Sequence, residues 1–491
     1  MTIIQKKCID WMDGSLFFRG ILRFFELIGI FFSGSLLVRL FSADYESERL
    51  HHSWFVRLIE GAFNIFPKFS PKIPAMPRFL QGSVLLRIAL DANGLSIPAW
   101  GLIAVVTLTP FLSTMTLAGM LIIVFGLALF HNKLELDLTA VALMLFIIVT
   151  LVSGVISLAP GTSIPIAILS SVFMLAYLLV RICFKNRSSI DFALAIFILA
   201  AAITGLVAVY QVAVGYVNMT WVDRDLFAAL ALRVYSTFGN PNVYGAYLLL
   251  AIPPAAAMIF YAKKPFYKLV AMGITGLLLI SLALTYSRGC YLALAVSVLV
   301  FVLLIEKRMI VLFVAGLAAV PFVLPASMFA RLASIVNLED TSTAFRLNIY
   351  RASIRILEDF WMAGLGQGIE AYNQVYPFYA FAAVPSPHSH NLFLQIFLET
   401  GIIGLVVFLA VLACFFRTQL SFIRRTSDFK CKVLSAALTA AVVGFLFQGM
   451  FDHVFYNYRV MLTFFIFIGI AQGVVRDENE RDKNSAHHHR C

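Results

Sequence analysis

From residue 98 onward the chain alternates long apolar runs with short polar connections. Twelve runs approach bilayer-spanning length: about 98–113, 115–131, 137–159, 163–184, 190–217, 242–262, 267–286, 289–305, 309–327, 391–416, 432–450 and 460–475. Repeated runs of this length make helical spans rather than a barrel. The pattern predicts an all-α, polytopic membrane bundle of about twelve transmembrane helices over 98–475. One connection, 328–389, is far longer than the others. Within it, Phe345, Ile349, Ile354 and Leu357 alternate helically with Arg346, Arg351 and Arg355. A flexible turn, Gly364-Leu365-Gly366-Gln367-Gly368, and an aromatic stretch over 372–381 follow. This segment is expected to be a folded, helical cap.

The ends of the chain differ from the middle. Residues 1–95 hold two apolar stretches, 16–41 with Arg19, Arg23, Glu26 and Arg39, and 54–66 with Arg57 and Glu60. Both read as amphipathic segments lying in the interface, with a thirteenth span over 16–41 as the alternative. The same charges argue against a cleavable signal peptide. Pro67, Pro71, Pro74 and Pro77 then break any helix. Residues 476–491 are charged and are expected to form a disordered cytoplasmic tail.

The apolar stretch that opens at His388-Ser389-His390-Asn391 carries the most unusual polar residues. Asn391, Gln395 and Glu399 fall at i, i+4 and i+8, on one helix face. Glu399 would lie roughly 12 Å below the helix mouth. A carboxylate at that depth needs a partner inside the protein, so the stripe is either functional or a buried cluster that orients helices. Gly401 and Gly404 suggest a small-residue face for a neighbouring helix.

Composition narrows the class. Of 491 residues, 13% are charged, against about 25% in soluble domains. The net charge of +11 does not imply nucleic acid, because basic residues gather in every second loop. These are Lys133; Arg181, Lys185 and Arg187; Lys263, Lys264 and Lys268; Lys307 and Arg308; and Arg417, Arg424, Arg425, Lys430 and Lys432. That set is expected to be cytoplasmic, as are both termini, which makes the 328–389 cap extracytoplasmic. The six cysteines show no paired or metal-like spacing and read as isolated thiols.

With that topology the candidate chemistry collects at the extracytoplasmic ends. Thr237-Phe238-Gly239-Asn240-Pro241-Asn242 opens one span, with Asn240 as N-cap and Pro241 in the first turn. Ser287-Arg288-Gly289 joins two others, and Arg346, His388, His390, Asp452 and His453 lie at the same level. Arginines there suggest a phosphate-bearing ligand held by forked hydrogen bonds. A neutral histidine beside it could take a proton from an incoming hydroxyl. Taken singly, Arg288 also fits a snorkelling interfacial residue, the cap arginines a solvated helix face, and Asp452-His453 a helix cap or ion pair. Asp223 and Asp225 form the single Asp-x-Asp pattern on this side, the rival site for a metal.

These motifs resemble a known family. His390-Asn391, nine residues, Gly401, two residues and Gly404 reproduce the H-[NSQ]-x9-G-x-x-[GTY] signature of the O-antigen ligase superfamily. That superfamily includes lipopolysaccharide O-antigen ligases, O-antigen-type polymerases and pilin O-oligosaccharyltransferases. The 237–242 stretch and Tyr286-Ser287-Arg288-Gly289 look like its recurrent motifs, and the resemblance covers about 98–475. It implies a metal-independent, cofactor-free GT-C-type glycosyltransferase in the bacterial cytoplasmic membrane. The donor would be an undecaprenyl-diphosphate-linked glycan and the acceptor a glycan or lipid-glycan, with membrane lipid around it and no nucleic acid. By motif His390 would be the base, Arg288 a diphosphate ligand, and Arg346 a second one. Asn391, Glu399, Asn240, His388 and Asp452 are the candidate substrate-binding residues. Residues 1–95 match nothing in the family. Ligase and polymerase differ only in acceptor and stay open, and a lipid-II polymerase is a related enzyme. A transporter or flippase of lipid-linked sugars is the second class; it would place polar residues at mid-membrane among broken helices and repeated halves.

Overall fold

The computed structural model describes residues 53–69, 96–131, 133–215, 233–323, 329, 341–380 and 386–488. The segment 16–41, the proline run over 71–77, Asp223, Asp225 and the start of the cap lie outside the described residues. Within them the chain is helical and contains no strand. Each of the twelve apolar runs is a helix or a helix pair. They are α2 (Ile97–Leu108), α3 (Thr114–His131), α4 (Leu138–Val155), the pair α5 (Pro160–Met174) and α6 (Ala176–Cys183), and α7 (Arg187–Ala213). Then come α8 (Pro241–Tyr261), α9 (Pro265–Leu284), α10 (Arg288–Ile305), α11 (Ile310–Val323), α14 (Leu392–Arg425), α15 (Phe429–Gly449) and α16 (Tyr458–His488). Between α11 and α14 the cap contributes α12 (Thr341–Phe360) and α13 (Ile369–Tyr379). Among the described residues nine helices are long and apolar enough to cross a membrane, and the chain is a polytopic helical membrane protein.

Burial ranks the helices. The membrane-length windows of α16 and α15 are 89% and 83% buried and form the centre, whereas those of α9 and α10 are 22% buried and present their sides outward. The centre is packed by Phe445, Phe464, Phe465 and Phe467, with α8 and α10 laid along α15. Helix α4 runs along α14, with Phe146 against Phe408.

Three sequence expectations need correction. The stretch 391–416 is neither a single helix nor confined to those residues: α14 runs on to Arg425 and is broken at Gly401, whose φ of 66° and ψ of −172° are non-helical. The tail is not disordered from 476, because α16 continues to His488. Asp477 accepts a hydrogen bond from the backbone N of Arg187 (2.9 Å) and pairs with Arg481 one turn on (2.9 Å). Arg476 donates to the carbonyls of Arg181 (3.0 Å) and Phe184. Those partners belong to the basic end of the bundle and hold the extension against it. The glycine-rich turn at 364–368, expected to be a flexible link, is hydrogen-bonded into the break of α14 through Leu365 and Gly366.

The N-terminal segment is tied to the bundle where it is described. Helix α1 (Trp54–Phe63) buries Val56 and Ile59 and exposes Trp54 and Leu58, so it is amphipathic and too short to cross. Glu60 accepts from Leu136 N (2.8 Å), and Asn64 exchanges two bonds with the backbone of Leu134 (2.8 and 3.0 Å).

Candidate active site

Three backbone turns build the site, and each contains a non-glycine residue in the left-handed region: Ser236 (φ 51°), Tyr286 (φ 50°) and His390 (φ 52°). Each lies a few residues before the helix it introduces (α8, α10 and α14). Such residues cost about 1–3 kcal/mol and persist only where their surroundings over-determine them. Ser236 is held by Gln211, which accepts from its N (2.9 Å) and donates to its O (3.0 Å), while its hydroxyl donates to Thr204 O (2.7 Å). At His390 the backbone N donates to His388 Nδ1 (3.2 Å), and the carbonyl accepts from Tyr350 of the cap (3.0 Å). Ser389 N donates to Gln395 Oε1 (2.8 Å).

The turn at 390 presents its imidazole to a carboxylate 62 residues away. His390 Nδ1 lies 3.3 Å from Asp452 Oδ1. Asp452 is buried in the turn after α15, its backbone N bonded to Gln448 O (3.1 Å). Burial alone would raise its carboxyl. The His390 contact, the charge of Arg346 and the neighbouring histidines outweigh that and hold it well below the usual carboxylate range. His388 is buried and stacks on Tyr456 (centroids 5.0 Å, 19°), 4.3 Å from the His390 ring. Burial, followed by the charge of His390, lowers its imidazole to about 4. His453, also buried, is pushed well below its ordinary value by burial. Of the three rings, His390 is the one that combines partial exposure with an acidic partner.

Arg346 reaches this cluster from α12: it is half-buried, and its charge is felt at Asp452, His388 and Cys290. Arg351 and Arg355 lie on the exposed face. Arg288 opens α10. The next residue, Gly289, packs so tightly on Gln448 that a Cβ there would lie 2.3 Å from Gln448 Oε1. Gln448 therefore links the arginine turn to the backbone of Asp452. Two further arginines escaped sequence reasoning. Arg233 donates to Thr285 O (2.9 Å) and Asn242 Oδ1 (3.2 Å), which joins the α8 and α10 entries. Arg459 donates to Pro110 O (3.1 Å) and Thr237 O (2.9 Å) with its guanidinium over Phe238. Nothing in their spacing distinguished them from interfacial arginines.

Two predicted ligand-binding residues are engaged in holding the backbone. Asn240 caps α8, accepting from Asn242 N (2.8 Å). Asn391 caps α14, accepting from Leu394 N (3.0 Å) and donating to Met450 O (2.9 Å). The predicted stripe continues inward: Gln395 Nε2 donates to Glu399 Oε1 (2.9 Å), which also accepts from Gly368 N (3.4 Å). Below His388 opens a cavity of about 360 Å³ whose wall includes Gln367, Gln395, Glu399 and His453.

The cap is locked onto α14 at its break. Leu365 N donates to Leu398 O (2.7 Å), Gly366 N to Glu399 O (3.2 Å), and Ile402 N to Trp361 O (2.9 Å). From the other side Leu158 N and Ser157 Oγ both donate to Leu365 O (3.0 and 3.1 Å). Gly401 is thus the point where 361–366 enter the helix ladder, not a face for a neighbouring helix.

For metals, His388, His390 and Asp452 bring one ligand atom each within 4.8 Å of one another, as do Asp428, Cys431 and Glu478 at the basic end. In the first set His390 Nδ1 and Asp452 face each other, and His388 Nδ1 already accepts from His390 N. A family model described as O-antigen ligase matches residues 273–409, from α9 through Arg288, the cap and His390 into α14. No curated protein matches the chain.

Proposed function

We infer the reaction from the premise that this chain is a member of the O-antigen ligase superfamily, acting in polysaccharide biosynthesis on a lipid-linked glycan. Its finer role is that of a glycosyltransferase that moves a glycan from undecaprenyl diphosphate to an acceptor hydroxyl. The observation that carries this reading is the His390–Asp452 contact, at the bundle end that also holds Arg288 and Arg346. Asp452 engages Nδ1, so Nε2 is left to take the acceptor proton. The acceptor oxygen bonds to the anomeric carbon, the bond from that carbon to the diphosphate breaks, and its electron pair leaves with undecaprenyl diphosphate. Arg288 and Arg346 meet the charge that develops there. No metal is needed in this scheme, because the guanidinium groups supply the neutralising charge. Loop charge supports a histidine end on the extracytoplasmic side of the cytoplasmic membrane. The break in α14 is a feature a transporter would share, yet here it is filled by the cap.

The test uses purified protein and a defined undecaprenyl-diphosphate-linked glycan. Transfer should release undecaprenyl diphosphate, keep its rate in excess EDTA, and occur in right-side-out but not inverted vesicles. A rate that collapses with EDTA and returns with magnesium would replace the arginine scheme by a metal site. In the same assay Arg288→Lys and Arg346→Lys keep the charge and lose the planar fork, so each should lose about tenfold or more. Wild-type rates in both would reduce the arginines to interfacial anchors.

A further inference from the structure

The 360 Å³ cavity is walled by His388 and His453 on one side, but by neither Arg288 nor Arg346 nor His390 itself. We propose that it is the subsite for an uncharged sugar ring of the acceptor, separate from the clamp for the diphosphate. The proposal rests on the glycosyl-transfer reading above.

Four observations converge. Among the described residues the wall holds no lysine or arginine and does hold Glu399, so it suits a neutral group and opposes an anionic one. Its volume is at the small end of ligand pockets, enough for one or two sugar rings. Its wall is mostly apolar, with Met115, Ile166, Leu169 and Met461 beside the aromatic Phe455 and Tyr456, and the polar groups of Gln367, Gln395 and Glu399 gather at one part of it. Sugar rings present the same pair of faces, hydroxyls at the rim and C–H groups across the ring. Finally, His453 lines the cavity and is 7% exposed, so part of its ring faces that space and offers it a polar edge.

Reaction geometry explains why the ring belongs to the acceptor. The base touches the attacking hydroxyl, and the arginines touch the leaving diphosphate on the opposite side of the reacting carbon. The acceptor must therefore enter from the cation-free side of the base. The His388 ring, 4.3 Å from that of His390, is the shared wall between cavity and base.

The experiment measures binding in full-length protein, so it stands apart from the transfer assay. Diazirine-bearing alkyl glycosides of glucose, galactose, N-acetylglucosamine and rhamnose are photocrosslinked, and the labelled peptides are mapped. At least one glycoside should label peptides spanning 166–174 or 453–461, and added undecaprenyl diphosphate should not compete. Ile166→Trp, which fills the cavity, should cut labelling at least tenfold while undecaprenyl diphosphate still binds. Glu399→Gln, close in shape, should weaken it several-fold and decides the matter if the tryptophan variant misfolds. Absence of labelling by all four glycosides, competition by undecaprenyl diphosphate, or full labelling in a folded Ile166→Trp protein would each overturn the proposal. Loss of transfer activity with labelling intact would instead count against the glycosyltransferase reading.

Discussion

His390→Asn should reduce glycan transfer by about 10²-fold or more while the protein still inserts and still binds undecaprenyl diphosphate. Asparagine is the variant of choice because residue 390 has a φ of 52°, which asparagine tolerates better than alanine. The turn, with its bonds to His388 Nδ1 and Tyr350, should therefore survive, and only the imidazole is lost. Asp452→Asn should follow in the same direction through its effect on the ring: a carboxamide can turn its NH₂ toward Nδ1 and favour the wrong tautomer. Neither neighbour confuses the readout with pH. His388 stays neutral above about pH 4, and Asp452 stays ionised because its carboxyl is held low. A rate change between pH 5 and 8 thus belongs to another group. The fold itself should weaken on acidification. The stability that His388 gains by being buried neutral is fully present above its ordinary value near 6.5 and is lost as pH falls toward 4. Near-normal product from His390→Asn would end its assignment as base and shift attention to His388 or His453.

How far the sequence carried can be judged element by element. Each of the twelve apolar runs marked a helix or helix pair, and nine helices among the described residues are long and apolar enough to cross, because burial in lipid demands uninterrupted apolar length. Their ends were harder to read. A one-residue break at Leu175 divides α5 from α6 without any polar signal, and α14 and α16 run past their apolar stretches on charged residues that helices accept. The candidate site residues His390, Arg288 and Arg346 stood out as polar chemistry at a membrane edge. The pairing of His390 with Asp452 was not, since no local pattern relates residues 62 apart. Gln448 and Arg233 look ordinary in sequence and acquire meaning only from Gly289 and Asn242 beside them. The glycines misled in a specific way. Gly401 fits a helix-packing pattern by spacing, but what it supplies is a backbone conformation, to which hydrophobic periodicity is blind.

Gly401→Ala should be among the most damaging single-methyl changes in the chain. Its φ of 66° and ψ of −172° lie in a region essentially reserved for glycine. An added Cβ would sit 2.0 Å from Met362 O and 2.6 Å from Met362 C. Both are backbone atoms of the segment that bonds into the break through Trp361 O, Leu365 N and Gly366 N, so no side-chain rotation relieves the clash. Loss on the order of 3 kcal/mol is expected, from strained backbone and broken cap contacts together. The damage should be local first. The packing of α15 and α16 does not depend on Gly401, whereas the cap carries Arg346 to Asp452 and Tyr350 to the carbonyl of His390. Transfer should therefore fall at least as far as in Arg346→Lys, and limited proteolysis should cut within 361–380 while the rest of the bundle stays protected. Gly276→Ala is the control. Nothing lies within 4 Å of a Cβ placed there, in the middle of α9. It should change stability by less than about 1 kcal/mol and leave the cap resistant. Equal protection and equal activity in Gly401→Ala and wild type would mean that the break in α14 is not what holds the cap.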